Sequence, residues 1–293
     1  MTSIATSTAN STWMWRGHQI NYQTAGDTGV AVLLIHGFGA SVGHWRKNLP
    51  VLAANCRCYA IDLIGFGASA KPQPGAIEYT FETWAQQVVD FCREIIGAPT
   101  ILVGNSIGCI VALQAAVTNS EAVLGVALLN CSLRLLHDRK RAEMPFYRRW
   151  GTPILQSILT VPAIGKFFFK QLAQRKVVGK ILRQAYHHPE AVTEELIDIL
   201  MAPAADPGAA DVLLKFTAYS WGPLPEDLLP QLTCPAIAIW GAADPWEPID
   251  LGRELMNVST VDEFVEIPDV GHCPQDEAPE LVNPVLQQWI AKF

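Results

Sequence analysis

Charge is scarce in this chain. Asp, Glu, Lys and Arg make up 17% of its 293 residues, and none falls between positions 96 and 120. With half the residues hydrophobic, this composition excludes a disordered chain and supplies enough apolar surface for a substantial core. Basic residues are the scarcer sign, 21 against 28 acidic for a net charge of −7, which argues against a dedicated nucleic-acid binder. The first twelve residues hold no arginine, no basic stretch and no apolar run, so neither a signal peptide nor a transit sequence is expected. The seven cysteines are an odd number without a secretory leader, which points to reduced thiols in a cytosolic-type compartment. No G-x-G-x-x-G stands where a dinucleotide site needs it. Cys56 and Cys58 share one face of a strand, and His187-His188 has no third ligand at zinc spacing. No metal and no cofactor are expected, which leaves water as the co-reactant.

The charge-free run is long enough to raise the question of a membrane span. It is broken by Gly97, Pro99, Gly104, Asn105, Ser106 and Gly108, which suits a strand, a sharp turn and a buried helix instead. Around it, short apolar runs at 31–35, 57–63, 100–103 and 124–129 alternate with helical spacing at 44–54, 82–96 and 107–117. Continuous apolar runs separated by helices predict βαβ units and a mostly parallel sheet. Residues 13–24 alternate weakly about Arg16-Gly17 and predict an antiparallel edge hairpin. From about Cys131 the pattern becomes helical and proline-rich, and strand signals return only at 236–240 and 264–267, before a last helix at 279–291. The expected fold class is therefore α/β, a mostly parallel central sheet flanked by helices, with core residues 1–130 and 231–293 and a helical cap at 131–230.

Gly104-Asn105-Ser106-Ile107-Gly108 follows an apolar strand and opens an apolar helix, the context a nucleophile elbow requires. Ser106 then needs a base and an orienting acid, which follow in the order acid, then histidine. Asp244 stands just after the strand at 236–240, and His272 follows the last strand. Asp244 would fix the imidazole tautomer, and His272 would carry the proton between Ser106 and the leaving group. Glu247, Asp250 and Asp269 compete for the acid role but lie less directly at a strand end. His36-Gly37-Phe38-Gly39 follows the first parallel strand, so the backbone N–H groups of Phe38 and Ile107 are the expected oxyanion donors. His36 is expected to brace that loop, and Asp62 to fix the next.

With these residues in place, the chain resembles the α/β-hydrolase superfamily over nearly its whole length. More narrowly it is similar to the chlorophyll dephytylase and pheophytinase branch, dephytylase above all. The segments carrying the likeness are His36-Gly37-Phe38-Gly39-Ala40-Ser41 with His44-Trp45-Arg46, Ala60-Ile61-Asp62-Leu63 through Gly65-Phe66-Gly67-Ala68-Ser69, Gly104-Asn105-Ser106 and Leu128-Leu129-Asn130-Cys131. The most distinctive is Gly271-His272-Cys273-Pro274-Gln275-Asp276-Glu277-Ala278-Pro279-Glu280. The resemblance implies hydrolysis of the ester joining phytol to the propionate of chlorophyll or pheophytin, with Trp45, Phe146 and Phe168 as expected substrate contacts. Cys109 departs from the glycine common after such elbows, and the helical insert matches the branch only loosely. Without a transit sequence, the resemblance implies a cyanobacterial-type member, cytoplasmic or peripheral on the thylakoid.

Between positions 134 and 183 there are 12 basic residues and 2 acidic ones, interleaved with Phe146, Tyr147, Trp150 and Phe167-Phe168-Phe169. That composition suits an anionic bilayer surface, and equally a lid whose aromatics face a pocket and whose charges are solvated. A serine at the elbow disfavours aspartate-nucleophile chemistry. A carbon–carbon bond hydrolase of the meta-cleavage type and a slow-turnover receptor on the same fold remain as alternatives.

Overall fold

The computed structural model describes residues 8–143, 158 and 161–293. Eight strands form one sheet in the order β1-β2-β4-β3-β5-β6-β7-β8. They are β1 (Ala9–Trp15), β2 (His18–Ala25), β3 (Ala31–Ile35), β4 (Arg57–Ile61), β5 (Thr100–Asn105), β6 (Val123–Leu129), β7 (Ala236–Gly241) and β8 (Val261–Ile267). The β1–β2 hairpin turns at Arg16-Gly17 and joins β4 antiparallel, and every pair from β4 to β8 is parallel. Strands β3, β5 and β7 are buried along their whole length, the physical reason they read as unbroken apolar runs.

Alternate residues of one strand feed opposite faces of the sheet. Leu33 and Ile35 join the larger core, which α2 (Phe81–Phe91) and α3 (Ile107–Thr118) cover. Val32 and Leu34 join the second, under α1 (Leu49–Leu52) and α11 (Pro279–Ile290). Helix α3 is apolar on every side because the sheet, α2 and the chain returning to β7 enclose it. Helix α2 starts on a Thr80 side-chain cap and ends in one wide turn over Cys92–Ile96, closed by Gly97 in the left-handed region.

Between β6 and β7 lie α4 (Pro162–Leu172), α5 (Arg175–Ala185), α6 (Glu194–Met201), α7 (Ala209–Thr217) and α8 (Pro225–Leu228), with no strand among the described residues. Leu182, Ala185, Tyr186, Val192, Leu196 and Ile197 give this segment its own small apolar cluster. It is nonetheless continuous with the sheet, since Val212, Leu228 and Leu229 belong to the larger core. After β7 come α9 (Ile249–Arg253), β8, α10 (Pro274–Glu277) and α11. Among the described residues no helix is long and apolar enough to cross a membrane.

Candidate active site

Ser106, Asp244, His272 and the His36–Gly39 turn all stand just past the carboxyl ends of parallel strands, at one edge of the sheet. That edge is where an open α/β sheet presents its crevice. Ser106 sits at φ 56°, ψ −120° between β5 and α3, a backbone conformation that side chains rarely adopt and that turns the chain sharply at the strand end. Two glycines make the turn possible. A Cβ at Gly104 would collide with the Gly108–Cys109 backbone, and one at Gly108 with the carbonyls of Ile35 and His36. The cost of the turn is offset by bonds on both sides: the Ser106 N–H donates to Leu129 C=O (3.0 Å), and its carbonyl accepts from Cys109 and Ser132 (3.1 and 3.2 Å).

The His36–Gly39 turn lies directly against this elbow. A Cβ on Gly37 would be 3.2 Å from both Asn105 Oδ1 and Ser106 Cβ. His36 is fully buried, with Nδ1 2.7 Å from Gly37 C=O and Nε2 accepting from Leu63 N–H at 3.1 Å. Burial holds its pKa below the ordinary histidine value, so it is a neutral brace. Asp62 fixes the neighbouring loop by accepting from the N–H groups of Val42 and Ala68 and from Asn21 Nδ2. The N–H groups of Phe38 and Ile107 make no hydrogen bond among the described residues. Ile107 is the first residue of α3, where an N–H has no partner inside the helix.

Asp244 and His272 are joined by a 2.7 Å contact between Oδ2 and Nδ1, in buried surroundings. A neutral His272 then carries its proton on Nδ1 and leaves Nε2 as the basic nitrogen. Asp244 is itself held. Its Oδ1 accepts from the N–H groups of Trp246 (2.8 Å) and Glu247 (3.1 Å), and its Oδ2 also accepts from Asn130 Nδ2 (2.7 Å). Asn105 Nδ2 donates to the His272 carbonyl (3.2 Å), so the residue before Ser106 ties the elbow to the histidine loop. The indole of Trp246, 43% exposed, lies 4.9 Å from the His272 ring.

Of the expected acids, Asp244 is the one that meets His272. Glu247 lies behind it, accepting from Ser132 Oγ and Leu133 N–H at 3.1 Å each, and burial pushes its pKa up to about 7. Asp250 pairs with Arg253 at the surface.

A small apolar cavity opens beside Phe38, Phe66 and Gly67, with Phe169 of α4, Leu200 of α6 and Val212 of α7 forming its far wall. Phe38 stacks on Phe216 at 4.7 Å, so the residue next to Gly37, which touches the elbow, also lines the cavity with its ring. Phe168 lies half-buried next to Phe169 and does not line the cavity. Phe146 falls outside the described residues. Trp45, expected at the substrate, is corrected: it is fully buried in the core beneath the opposite face of the sheet, packed with Leu49, Leu52 and Val42. The turn that carries it, Val42–Trp45, is almost wholly buried, so its indole serves packing. Asn130 and Trp246 are site residues to which the sequence pattern assigned no role, and Glu247, a rival for the acid role in the sequence, supports the loop behind Asp244 instead. The signal for Asn130 is a polar residue immediately past the end of an apolar strand, the position shared by Ser106. Among the described residues no group of three or more His, Cys, Asp or Glu side chains is placed to hold a metal ion.

Residues 32–285 match the model of the alpha/beta hydrolase family. Chloroplastic pheophytinase of Arabidopsis thaliana is 25% identical over 93% of this chain, which spans 64% of that protein's length. YugF, an uncharacterized hydrolase of Bacillus subtilis, is 27% identical over 92% of both chains. The crystal structure of Cfl2 from Burkholderia cenocepacia superposes with a TM-score of 0.80 at 21% identity, over 98% of this chain and 97% of that one, a likeness of fold. Sheet order, strand-end crevice and family match agree, and the chain belongs to the alpha/beta hydrolase family.

Proposed function

We propose that this hydrolase is a serine esterase acting on the phytyl ester of chlorophyll or pheophytin, releasing phytol and chlorophyllide or pheophorbide. The observation that carries the reading is the 2.7 Å Asp244–His272 pair beside a strained Ser106 whose neighbours offer two N–H groups that make no hydrogen bond among the described residues. In this mechanism Ser106 Oγ attacks the ester carbonyl while His272 Nε2 takes its proton, and Asp244 stabilises the imidazolium. The N–H groups of Phe38 and Ile107 receive the oxyanion. His272 then passes the proton to the departing phytol oxygen, and a water molecule, activated by the same imidazole, releases the acid from Ser106.

The substrate class is supported by the Gly271–Glu280 segment, by the pheophytinase relative, and by the apolar cavity beside Phe38. A phytyl ester resides in a membrane, and the cap offers a face suited to one. Residues 161–183 hold six basic residues and no acidic one. On α4, Ile164 and Phe167 are exposed, Phe167 by 66%. We include in the proposal that this face rests on an anionic bilayer while Phe169, on the same helix, faces the cavity.

The test is phytol release from detergent-solubilised chlorophyll a and pheophytin a by wild type and Ser106→Ala. Multiple turnovers by wild type alone are expected. Cleavage of a p-nitrophenyl ester without cleavage of either pigment would remove the pigment assignment and keep the serine chemistry. A stall near one turnover would mark a receptor instead.

A further inference from the structure

The segment 185–188, where α5 ends, is fastened to the loop that carries His272. The His272 N–H donates to the Ala185 carbonyl at 2.8 Å. Glu277 accepts from Gly271 N–H with Oε2 (2.8 Å) and from His188 N–H with Oε1 (2.7 Å). The Tyr186 hydroxyl donates to Asp276 Oδ2 at 2.8 Å and lies 3.0 Å from His44 Nε2. Cys273, next to His272, is buried in the apolar cluster of α5 and α6. Fit is tight enough that a Cβ on Gly271 would run into the Ala185 carbonyl.

The two carboxylates of this junction differ in kind. Asp276 is fully buried and anchored within the core by Arg46 (2.7 Å) and Lys47 (3.3 Å) in addition to Tyr186. Among the described residues Glu277 makes two side-chain bonds, both to backbone N–H groups, one on each side of the junction. Backbone donors cannot turn away, and only a carboxylate presents two acceptor oxygens to them. A neutral amide would turn its own NH2 against one of the two.

We propose that Glu277 is a positioning residue that makes the place of His272 depend on cap segment 185–188. The inference rests on the reading of His272 as the general base. A displacement of about 1 Å at such a base costs on the order of a hundredfold in rate, so a bond two steps from the imidazole has leverage on turnover and little on substrate affinity.

The experiment compares wild type with Glu277→Gln, Glu277→Asp and His272→Ala, by hydrogen exchange of individual backbone amides and by kcat and KM on a p-nitrophenyl ester. Glu277→Gln is expected to speed exchange at the His272 amide about tenfold relative to Val126 in the core. Its kcat is expected to fall about tenfold or more with KM within about twofold. Glu277→Asp should recover part of both. Unchanged exchange at His272, an unchanged kcat, or equal acceleration of the His272 and Val126 amides would overturn the proposal, the last by showing a loss of stability alone. If His272→Ala keeps wild-type kcat, the base assignment falls and takes this proposal with it. An inactive His272→Ala beside a fully active Glu277→Gln removes only the role of Glu277.

Discussion

Asn130 and His272 meet on one oxygen of Asp244, Nδ2 donating and Nδ1 lying against it, each at 2.7 Å. Asn130 also accepts from the Gly241 N–H through Oδ1 (2.9 Å) and is fully buried at φ 42°. It thus clamps the end of β6 to the end of β7 and fixes which way the Asp244 carboxylate points. Asparagine tolerates that backbone conformation better than most residues, so its identity answers a conformational and a hydrogen-bonding demand together.

Asn130→Gly keeps the left-handed backbone accessible and removes only the amide. Two buried groups, Asp244 Oδ2 and the Gly241 N–H, then lose a partner, at a cost of roughly 1–3 kcal/mol each. Lower thermal stability and a fall in kcat/KM of about tenfold or more, at nearly unchanged KM, are expected. Calorimetry and steady-state kinetics on a p-nitrophenyl ester check both. Wild-type kcat/KM would show that Asp244 is held well enough by Trp246 and Glu247 alone.

The elbow and the proposed oxyanion turn are separable by two glycines. Gly108→Ala forces a methyl group against the carbonyls of Ile35 and His36, at the end of β3 where Ile35 pairs with Gly104 of β5. Overpacking of a backbone in this way is expected to cost about 3 kcal/mol or more and to lower the yield of folded protein. Gly37→Ala meets Asn105 Oδ1 and Ser106 Cβ at 3.2 Å, a few tenths of an ångström too close. Here the expected result is a nearly normal melting temperature with kcat down about tenfold, because the Phe38 N–H is pushed out of line. Equal loss of stability in both variants would contradict this division.

The architecture is legible in the sequence wherever burial is uniform. Strands β3, β5 and β7 are covered on both faces and α3 all round, so local hydrophobicity alone marks them. The elbow is legible because Gly104 is forced by the Gly108–Cys109 backbone a few residues on, whereas Gly108 answers to the distant carbonyls of Ile35 and His36. Asn130, Trp246 and Glu277 are a different matter. Each acts through a neighbour brought close only by strand order or by docking of the helical segment, as Asn130 is brought to Asp244 by the β6–β7 pairing. No spacing in the chain encodes that. Trp45 shows the converse: an aromatic residue beside a loop has the same local pattern whether it lines a pocket or fills the core, and here it fills the core.

Glu247 gives the protein a pH dependence whose sign follows from its burial. Its pKa is about 7 in the folded protein and near 4.5 when the chain is unfolded. Between those values the folded state holds a proton that the unfolded state has released, so stability falls as pH rises through this window. Complete loss of that proton preference is worth roughly 3 kcal/mol. His44, which burial lowers to about 4, acts in the opposite sense between about pH 4 and 6.5, so the wild-type curve alone does not isolate Glu247. The difference between wild type and Glu247→Gln does. The variant is expected to gain melting temperature relative to wild type as pH is raised from about 5 to 8, as scanning calorimetry at several pH values would show. A difference independent of pH would mean that Glu247 is ionised throughout.

The proposed bilayer contact of the cap separates cleanly from catalysis if it is measured on Ser106→Ala protein. Helix α4 exposes Ile164 and Phe167, and Lys170 of the same helix and Lys176 and Lys180 of α5 make no ion pair among the described residues. Arg175, by contrast, is paired with Glu194 and Asp198 and is not available to a headgroup. Flotation with phosphatidylglycerol-containing vesicles at low salt is expected to carry the protein up, and high salt or pure phosphatidylcholine to release it, since attraction between exposed charges is screened. Replacing Lys170 and Lys176 by glutamine should weaken binding about fivefold per charge, while Phe167→Glu should abolish it by opposing insertion of the apolar edge. Equal binding to neutral and anionic vesicles would point to the apolar edge alone. No flotation at low salt would leave Phe167 and the lysines as a solvated face, and the esterase reading untouched.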